Sequence, residues 1–263
     1  MKDEVYSKFR IFGIPISYCD TKEALAFVEK SINNKETNSI FTPCLESLAL
    51  YNTNPAFAEA SDNVDLSIVD GITMVQMSRL SGHHLKERIT GATFVVEIIK
   101  EFHDSATFFV VGSKPENLNI AIAKLKRDYP KLKDIEYYSP PFYPGAFPKE
   151  EGDIVIKKIN ESGANVVFFA LGAPKQELLI QMIKPYVKAN ILMSCGGTFE
   201  FIGGIVKRAP RRIQKMGLEW AYRIYTDPNR MIKRYSWQAK VFFTVLFKAI
   251  LGIKRKTSIK EIK

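Results

Sequence analysis

Asp70 closes the short apolar run Leu66-Ser67-Ile68-Val69 and is followed at once by Gly71. A carboxylate at the end of a buried strand faces the crevice where open parallel sheets bind their ligands. Partial desolvation there suits it to accept a proton as a general base. The same position also suits a cap for the following helix, and the pattern alone leaves both readings open. Four other stretches share this kind of location. They are Thr42, Gly112-Ser113-Lys114-Pro115, Gly172-Ala173-Pro174-Lys175-Gln176-Glu177, and Gly196-Gly197. Three of them are glycine-containing turns that can open a helix, where backbone N–H groups and a positive dipole end suit phosphate. One such glycine marks only a tight turn. Three at one sheet edge point to a phosphorylated or nucleotide ligand.

Other chemistries lack their signatures. No G-x-G-x-x-G follows the first strand, and no G-x-x-x-x-G-K-[ST] occurs, which disfavours a standard dinucleotide site and a P-loop. His83 and His84 are adjacent in a polar turn, the three cysteines are scattered, and Asp65 and Asp70 do not form a D-x-D pair. None of these has metal-ligand spacing, so neither a metal nor a cofactor is expected.

The elements that must position these residues alternate. Strand-like runs at 38–42, 66–70, 107–112, 165–172 and 191–197 are rich in β-branched and aromatic residues, and most are followed by a helical pattern. Pro115 and Pro174 suit helix starts, and Asp20 with Glu23 forms a capping-box pattern ahead of Ala24. Runs such as Val166-Val167-Phe168-Phe169-Ala170-Leu171 are apolar throughout, as in strands buried on both faces. Strand–helix alternation of this kind predicts a doubly wound, mainly parallel, Rossmann-like α/β sheet over residues 1–204.

Beyond that body the chain changes character. Of 38 Lys and Arg residues, 16 lie in 205–263 with only three of the 28 acids, a net charge of +13. The remaining 22 bases and 25 acids leave residues 1–204 at −3. A basic segment seeks polyanions: nucleic acid, an anionic membrane or phosphorylated ligands. On a helical wheel of residues 230–252, Arg230, Lys233, Arg234, Lys240 and Lys248 share one side, opposite Met231, Tyr235, Phe242, Leu246, Ala249 and Ile250. This cationic amphipathic helix is either an interfacial membrane anchor or an ordinary helix packed on the body. No apolar stretch reaches the roughly 18–20 residues a spanning helix needs, and Lys248 interrupts the longest, 241–253. The first residues lack the apolar core of a signal peptide, and three cysteines in 263 residues fit a reducing compartment, so a cytoplasmic location is expected.

Together these residues resemble the WecG/TagA/CpsF glycosyltransferases, from about Ile11 to Arg234. The most specific stretches are Gly172 to Glu177 and a long block: Gly196-Gly197-Thr198-Phe199, Lys207-Arg208-Ala209-Pro210, Gly217-Leu218-Glu219-Trp220, Arg223, Asp227-Pro228, Arg230 and Arg234. Asp70-Gly71 and Glu87-Arg88-Ile89-Thr90-Gly91 add to it. The resemblance implies inverting, metal-independent transfer of a sugar, N-acetylmannosamine in type, from a UDP-sugar to a polyprenyl-diphosphate-linked N-acetylglucosamine. Glucose or N-acetylmannosaminuronic acid is the alternative donor sugar. The reaction belongs at the inner face of the bacterial membrane, with the basic segment on an anionic leaflet. By this resemblance Asp70 is the catalytic base, and Thr42 and Gln176 are donor contacts. Cys44, Gly112, Gly172, Pro174, Lys175, Gly196 and Gly197 join them in the expected donor site. Arg88, Arg208, Arg223, Arg230 and Arg234 are expected to hold the acceptor diphosphate, and a homo-oligomer is left open.

The chain departs from the family pattern in three places. Thr42-Pro43-Cys44 stands where Thr-x-Asn is usual, Gly91-Ala92-Thr93 replaces Gly-x-Asp, and Arg211 replaces an aromatic residue after Arg-Ala-Pro. Cys44 lacks an amide for the donor sugar. Two other classes compete. An RNA-binding protein would stack bases on Trp220, Tyr222, Tyr225 and Trp237 but leaves Asp70 and the Pro-Lys-Gln-Glu turn idle, so no nucleic-acid partner is expected. A nucleotide-binding regulatory or redox module would carry cofactor absorbance on purification.

Overall fold

The computed structural model describes residues 6–250 except 208, 211, 214, 215 and 217, and for 230, 234, 245, 246 and 248–250 it describes the backbone only. A short antiparallel hairpin, β1 (Lys8–Ile11) and β2 (Ile14–Ser17), precedes the main sheet. Six strands follow: β3 (Asn38–Phe41), β4 (Leu66–Ser67), β5 (Phe108–Gly112), β6 (Glu136–Tyr138), β7 (Val166–Ala170) and β8 (Ile191–Ser194). They pair in the order β4-β3-β8-β7-β5-β6, and every pair is parallel. The α/β expectation is met, with a main sheet that is parallel throughout.

Helices cover both faces, which explains why the central strands are apolar without alternation. Ile40, Phe108, Val110, Phe168 and Met193 meet α1 (Thr21–Asn34), α5 (Gly91–Phe102), α6 (Pro115–Asp128) and α9 (Thr198–Ile202) in one core. Phe41, Phe109, Val111, Phe169 and Leu192 point the other way, toward α7 (Lys149–Ser162) and α8 (Lys175–Ile183). A third cluster joins the hairpin to α2 (Leu45–Thr53), α3 (Pro55–Asp62) and α4 (Ile72–Leu80) through Ile11, Ile14, Leu48, Tyr51, Phe57 and Met74.

Local signals are kept where they were strongest. Asp20 and Glu23 make the full capping box on α1, and Pro115 opens α6. Pro174 caps α8 rather than starting it, after a cis Ala173–Pro174 bond. The run 66–70 pairs as a strand only over Leu66–Ser67, because β4 is an edge strand with a single neighbour. Its continuation still follows β3: Ile68 N–H donates to Phe41 O and Asp70 N–H to Pro43 O, both at 3.0 Å.

The C-terminal part is helical, with α10 (Glu219–Thr226) and α11 (Pro228–Ile250). The described residues of the apolar side predicted by the wheel, Met231, Tyr235 and Phe242, are buried or half-buried. Met231 is buried, and Phe242 packs on the hairpin cluster beside α2. Ile232, Trp237, Phe243 and Phe247 are exposed. The helix therefore rests on the body with one edge and turns a second apolar edge outward. No described helix is long and apolar enough to cross a membrane.

Candidate active site

The strand order places the predicted residues along one edge of the sheet. From β4 to β6 the carboxyl ends lead to Asp70, Thr42, Gly196, Gly172, Gly112 and Ser139 in turn. Strand spacing of about 4.8 Å puts neighbouring members within reach of one ligand and spreads the whole row over about 24 Å.

At one end, Asp70 is half-buried and held beside Thr42-Pro43-Cys44 by its backbone bond to Pro43. It is not the helix cap: Gly71, at φ 87°, takes the N-cap position of α4. The Thr42 hydroxyl donates to Ser194 O at 3.3 Å and so ties β3 to β8. A Cβ at Gly91 would lie 3.1 Å from Thr42 Oγ1, so glycine there lets the first turn of α5 close onto Thr42. Thr93, two residues on, is exposed and bonded to the N-cap Thr90. Cys44 caps α2, its N–H bonded to the Ser47 hydroxyl at 3.1 Å. Arg88 enters on the loop before α5. That loop is pinned to α1, with Lys86 paired to Asp20 and Glu23 at 2.9 and 2.6 Å, and Glu87 accepting the Thr21 N–H at 2.8 Å.

The glycine turns differ among themselves. Gly112 is demanded by packing, because a Cβ would lie 2.6 Å from Ala170 O. Gly172 and Gly196 have φ of 76° and 53° and open space where a Cβ would be. Gly197 caps α9. Gln176 is buried, and its Oε1 accepts the N–H of Gly172 at 3.2 Å and of Gly196 at 3.0 Å. Lys175 bonds the Tyr143 carbonyl and lies over the Phe142 ring at 4.3 Å, which ties the loop after β6 to the β7 turn.

Ser139, Ser194 and Glu200, which the sequence reading passed over, and Glu177, which it named only as part of its turn, complete the edge. Among the described residues, four buried side-chain oxygens have no hydrogen-bond partner: Ser139 Oγ, Glu177 Oε2, Ser194 Oγ and Glu200 Oε2. All four lie at this carboxyl edge. The Ser194 hydroxyl lies toward the Glu177 carboxyl, which leaves Ser139 Oγ and Glu200 Oε2 as the oxygens at this edge open to a ligand, since buried polar groups are normally satisfied. Glu200 Oε1 accepts from Ser113 Oγ at 2.6 Å, linking the turns after β5 and β8. Burial pushes the Glu177 carboxyl up to about 7, against the Gln176 amide and nearby Ser194 hydroxyl, which favour its charged form. The signal for both glutamates was their place three to five residues past a strand-end glycine, obscured because acids at helix starts are common dipole partners.

Of the five arginines, Arg88 is described in full on its loop, and so, on α10, is Arg223. Its guanidinium meets Glu219 at 3.3 Å and lies over the Phe201 ring at 5.2 Å, so α10 touches the helix that follows the Gly196-Gly197 turn. Arg208 and Arg211 lie outside the described residues, as do the side chains of Arg230 and Arg234. Among the described residues no three His, Cys, Asp or Glu side chains come together as a metal site.

A carboxylate at one end of a row of turns, with hydroxyl and amide groups spread along it, suits activation of a hydroxyl against a ligand laid along the edge. A family model for the glycosyl transferase WecG/TagA/CpsF family matches residues 9–256. The chain belongs to that family. It is therefore a glycosyltransferase, and its family works in cell-surface polysaccharide biosynthesis. The match takes in both the sheet and the basic helices, so the whole edge and the segment beside it fall within the family's region.

Proposed function

We propose that the protein transfers a sugar, N-acetylmannosamine in type, from a UDP-sugar to undecaprenyl-diphosphate-linked N-acetylglucosamine, with inversion and without a metal. The observation that carries this reading is the half-buried Asp70 carboxylate beside Thr42-Pro43, at the head of the strand-end row of a glycosyltransferase. Asp70 takes the proton from the acceptor hydroxyl. That oxygen forms its bond to the anomeric carbon as the bond to UDP breaks on the opposite face, and the electron pair leaves with the diphosphate. Attack from the opposite face inverts the centre.

The rest of the row supports the donor's orientation. Glu200, a carboxylate with an unpartnered oxygen, opposes phosphate and suits ribose hydroxyls, together with Ser113 and Ser139. Thr42 and Cys44 then face the sugar end near Asp70. Arg88, Arg208, Arg223, Arg230 and Arg234 bring the positive charge that an acceptor diphosphate needs, since guanidinium pairs with phosphate bidentately. The +13 segment, with Ile232, Trp237, Phe243 and Phe247 exposed, holds the protein on the anionic inner face of the membrane.

The test is UDP release from a panel of UDP-sugars, with a short-chain lipid-diphosphate N-acetylglucosamine as acceptor, with and without EDTA. Release with one N-acetylmannosamine-type donor, unchanged by chelation, is the expected result. Release only with glucose or a uronic acid donor would reassign the sugar. Loss on chelation with recovery on adding Mg²⁺ would overturn the metal-free mechanism.

A further inference from the structure

The turns after β7 and β8 carry an unusual amount of freedom for a binding edge. Gly172 and Gly196 both have left-handed backbone, and no atom lies within 4 Å of the place where either would carry a Cβ. Side-chain packing therefore does not hold these turns at their glycines. One group connects them. Gln176 Oε1 receives both glycine N–H groups, at 3.2 and 3.0 Å, and an amide oxygen has two lone pairs, so its accepting capacity is used in full. The Gln176 backbone N–H also returns to Gly172 O at 3.2 Å.

The orientation of that amide is itself fixed. Gln176 Nε2 donates to Glu177 Oε1 at 2.8 Å, and both side chains are buried. A flipped amide would aim NH₂ at two N–H donors, which is repulsive, and would give up the bond from Nε2 to Glu177 Oε1. With the oxygen spent and one amide hydrogen on Glu177, Gln176 keeps a single N–H for anything else.

We propose that Gln176 is a positioning residue rather than a direct donor contact: its amide oxygen clips the β7 and β8 turns together, and Glu177 locks the amide in the clipping orientation. The clip sets the spacing of the turns against which the donor lies. This last step rests on the donor-site reading above; the clip itself does not.

The experiment is amide hydrogen exchange at Gly172 and Gly196 in the full chain, with UDP affinity measured on the same samples. The variants are Gln176→Ala and the exchanged pair Gln176→Glu with Glu177→Gln. In the exchanged pair a carboxylate oxygen accepts both glycine N–H groups, and its second oxygen accepts from the new glutamine, so the clip is rebuilt with the roles reversed. Gln176→Ala should speed exchange at both glycines about tenfold, one hydrogen bond's worth, while Val110 and Phe168 in the sheet stay protected. UDP affinity should fall in step. The exchanged pair should restore protection and UDP affinity together. Wild-type protection of both glycines in Gln176→Ala would overturn the proposal, as would an exchanged pair that leaves either glycine unprotected or does not fold. Restored protection without restored UDP affinity would leave the clip standing and overturn the positioning role. A wild-type protein that binds no UDP would break the donor-site reading while the exchange result still judged the clip.

Discussion

In residues 1–204, 25 acids outweigh 22 bases, and the strand-end turns are joined by buried hydrogen bonds: Gln176 to two glycines, Ser113 to Glu200, Thr42 to Ser194. In residues 205–263, 16 bases face three acids, and Trp220, Tyr225, Ile232, Phe243 and Phe247 are exposed. The first region spends its polar groups on itself and so holds a fixed shape. Among its described residues the second turns Lys207, Arg212, Lys233 and Lys240, and these apolar side chains, outward. A reaction between a soluble donor and a lipid-linked acceptor calls for this division. In the proposed reaction the donor lies on the rigid row, and the acceptor is met by a surface suited to anionic lipid. Arg223 over Phe201 is where the two regions meet near the site.

If the division is correct, damage to the body should appear in chemistry and damage to the segment in acceptor capture. The largest effect should come from Asp70→Asn, which should lower turnover by roughly 10²–10⁴-fold, the usual worth of a general base, with UDP affinity kept. Steady-state kinetics with calorimetry of UDP checks both halves. Turnover near the wild-type value would remove Asp70 from the mechanism.

A smaller loss should follow from changing Ile232, Phe243 and Phe247 together to Ser. Each buried apolar side chain contributes about 1.5–3 kcal/mol when fully withdrawn from water, so anionic-liposome binding should fall at least about tenfold. Turnover of a short, soluble acceptor should stay the same, because none of the three lies on the strand-end row. Equal losses in both assays would erase the distinction between anchor and site.

How far such a division can be read from sequence depends on how local its causes are. The capping box of Asp20 and Glu23, the two-faced strand Val166 to Ala170, and the strand-end glycines are set by neighbours in the chain, and they were legible. So was the place of Asp70. The hairpin and the three-residue β6 were not, because each is short and gains its stability from distant partners. Gly112 read as a ligand turn, but Ala170, 58 residues on, is what requires it. The wheel of α11 did show the edge that the body covers, with Met231 and Phe242 on it; it gave no sign of the second apolar edge, where Phe243 and Phe247 are exposed. Glu200 was hidden, and Glu177 was named only as part of its turn, for the same reason: only the fold buries an oxygen of each.

The smallest predicted effect sharpens the body's side. Glu177 holds its proton up to about pH 7 when folded, well above an ordinary carboxyl. Between the unfolded value near 4.3 and 7 the folded state binds the extra proton, so this group's contribution to stability is full below that window and fades as pH rises through it. Glu177→Gln should flatten the fall in Tm from pH 5 to pH 7. An unchanged slope would mean that Glu177 is charged in the folded protein.

The division itself is tested most directly by Arg223→Ala on a short, soluble acceptor with no membrane present. UDP affinity and acceptor kcat/KM are measured on the same sample. Loss of a charge-assisted phosphate contact should lower acceptor kcat/KM by about 10- to 100-fold and leave UDP affinity within about twofold. Unchanged kcat/KM, or a loss of UDP affinity as large as the loss of turnover, would contradict the account.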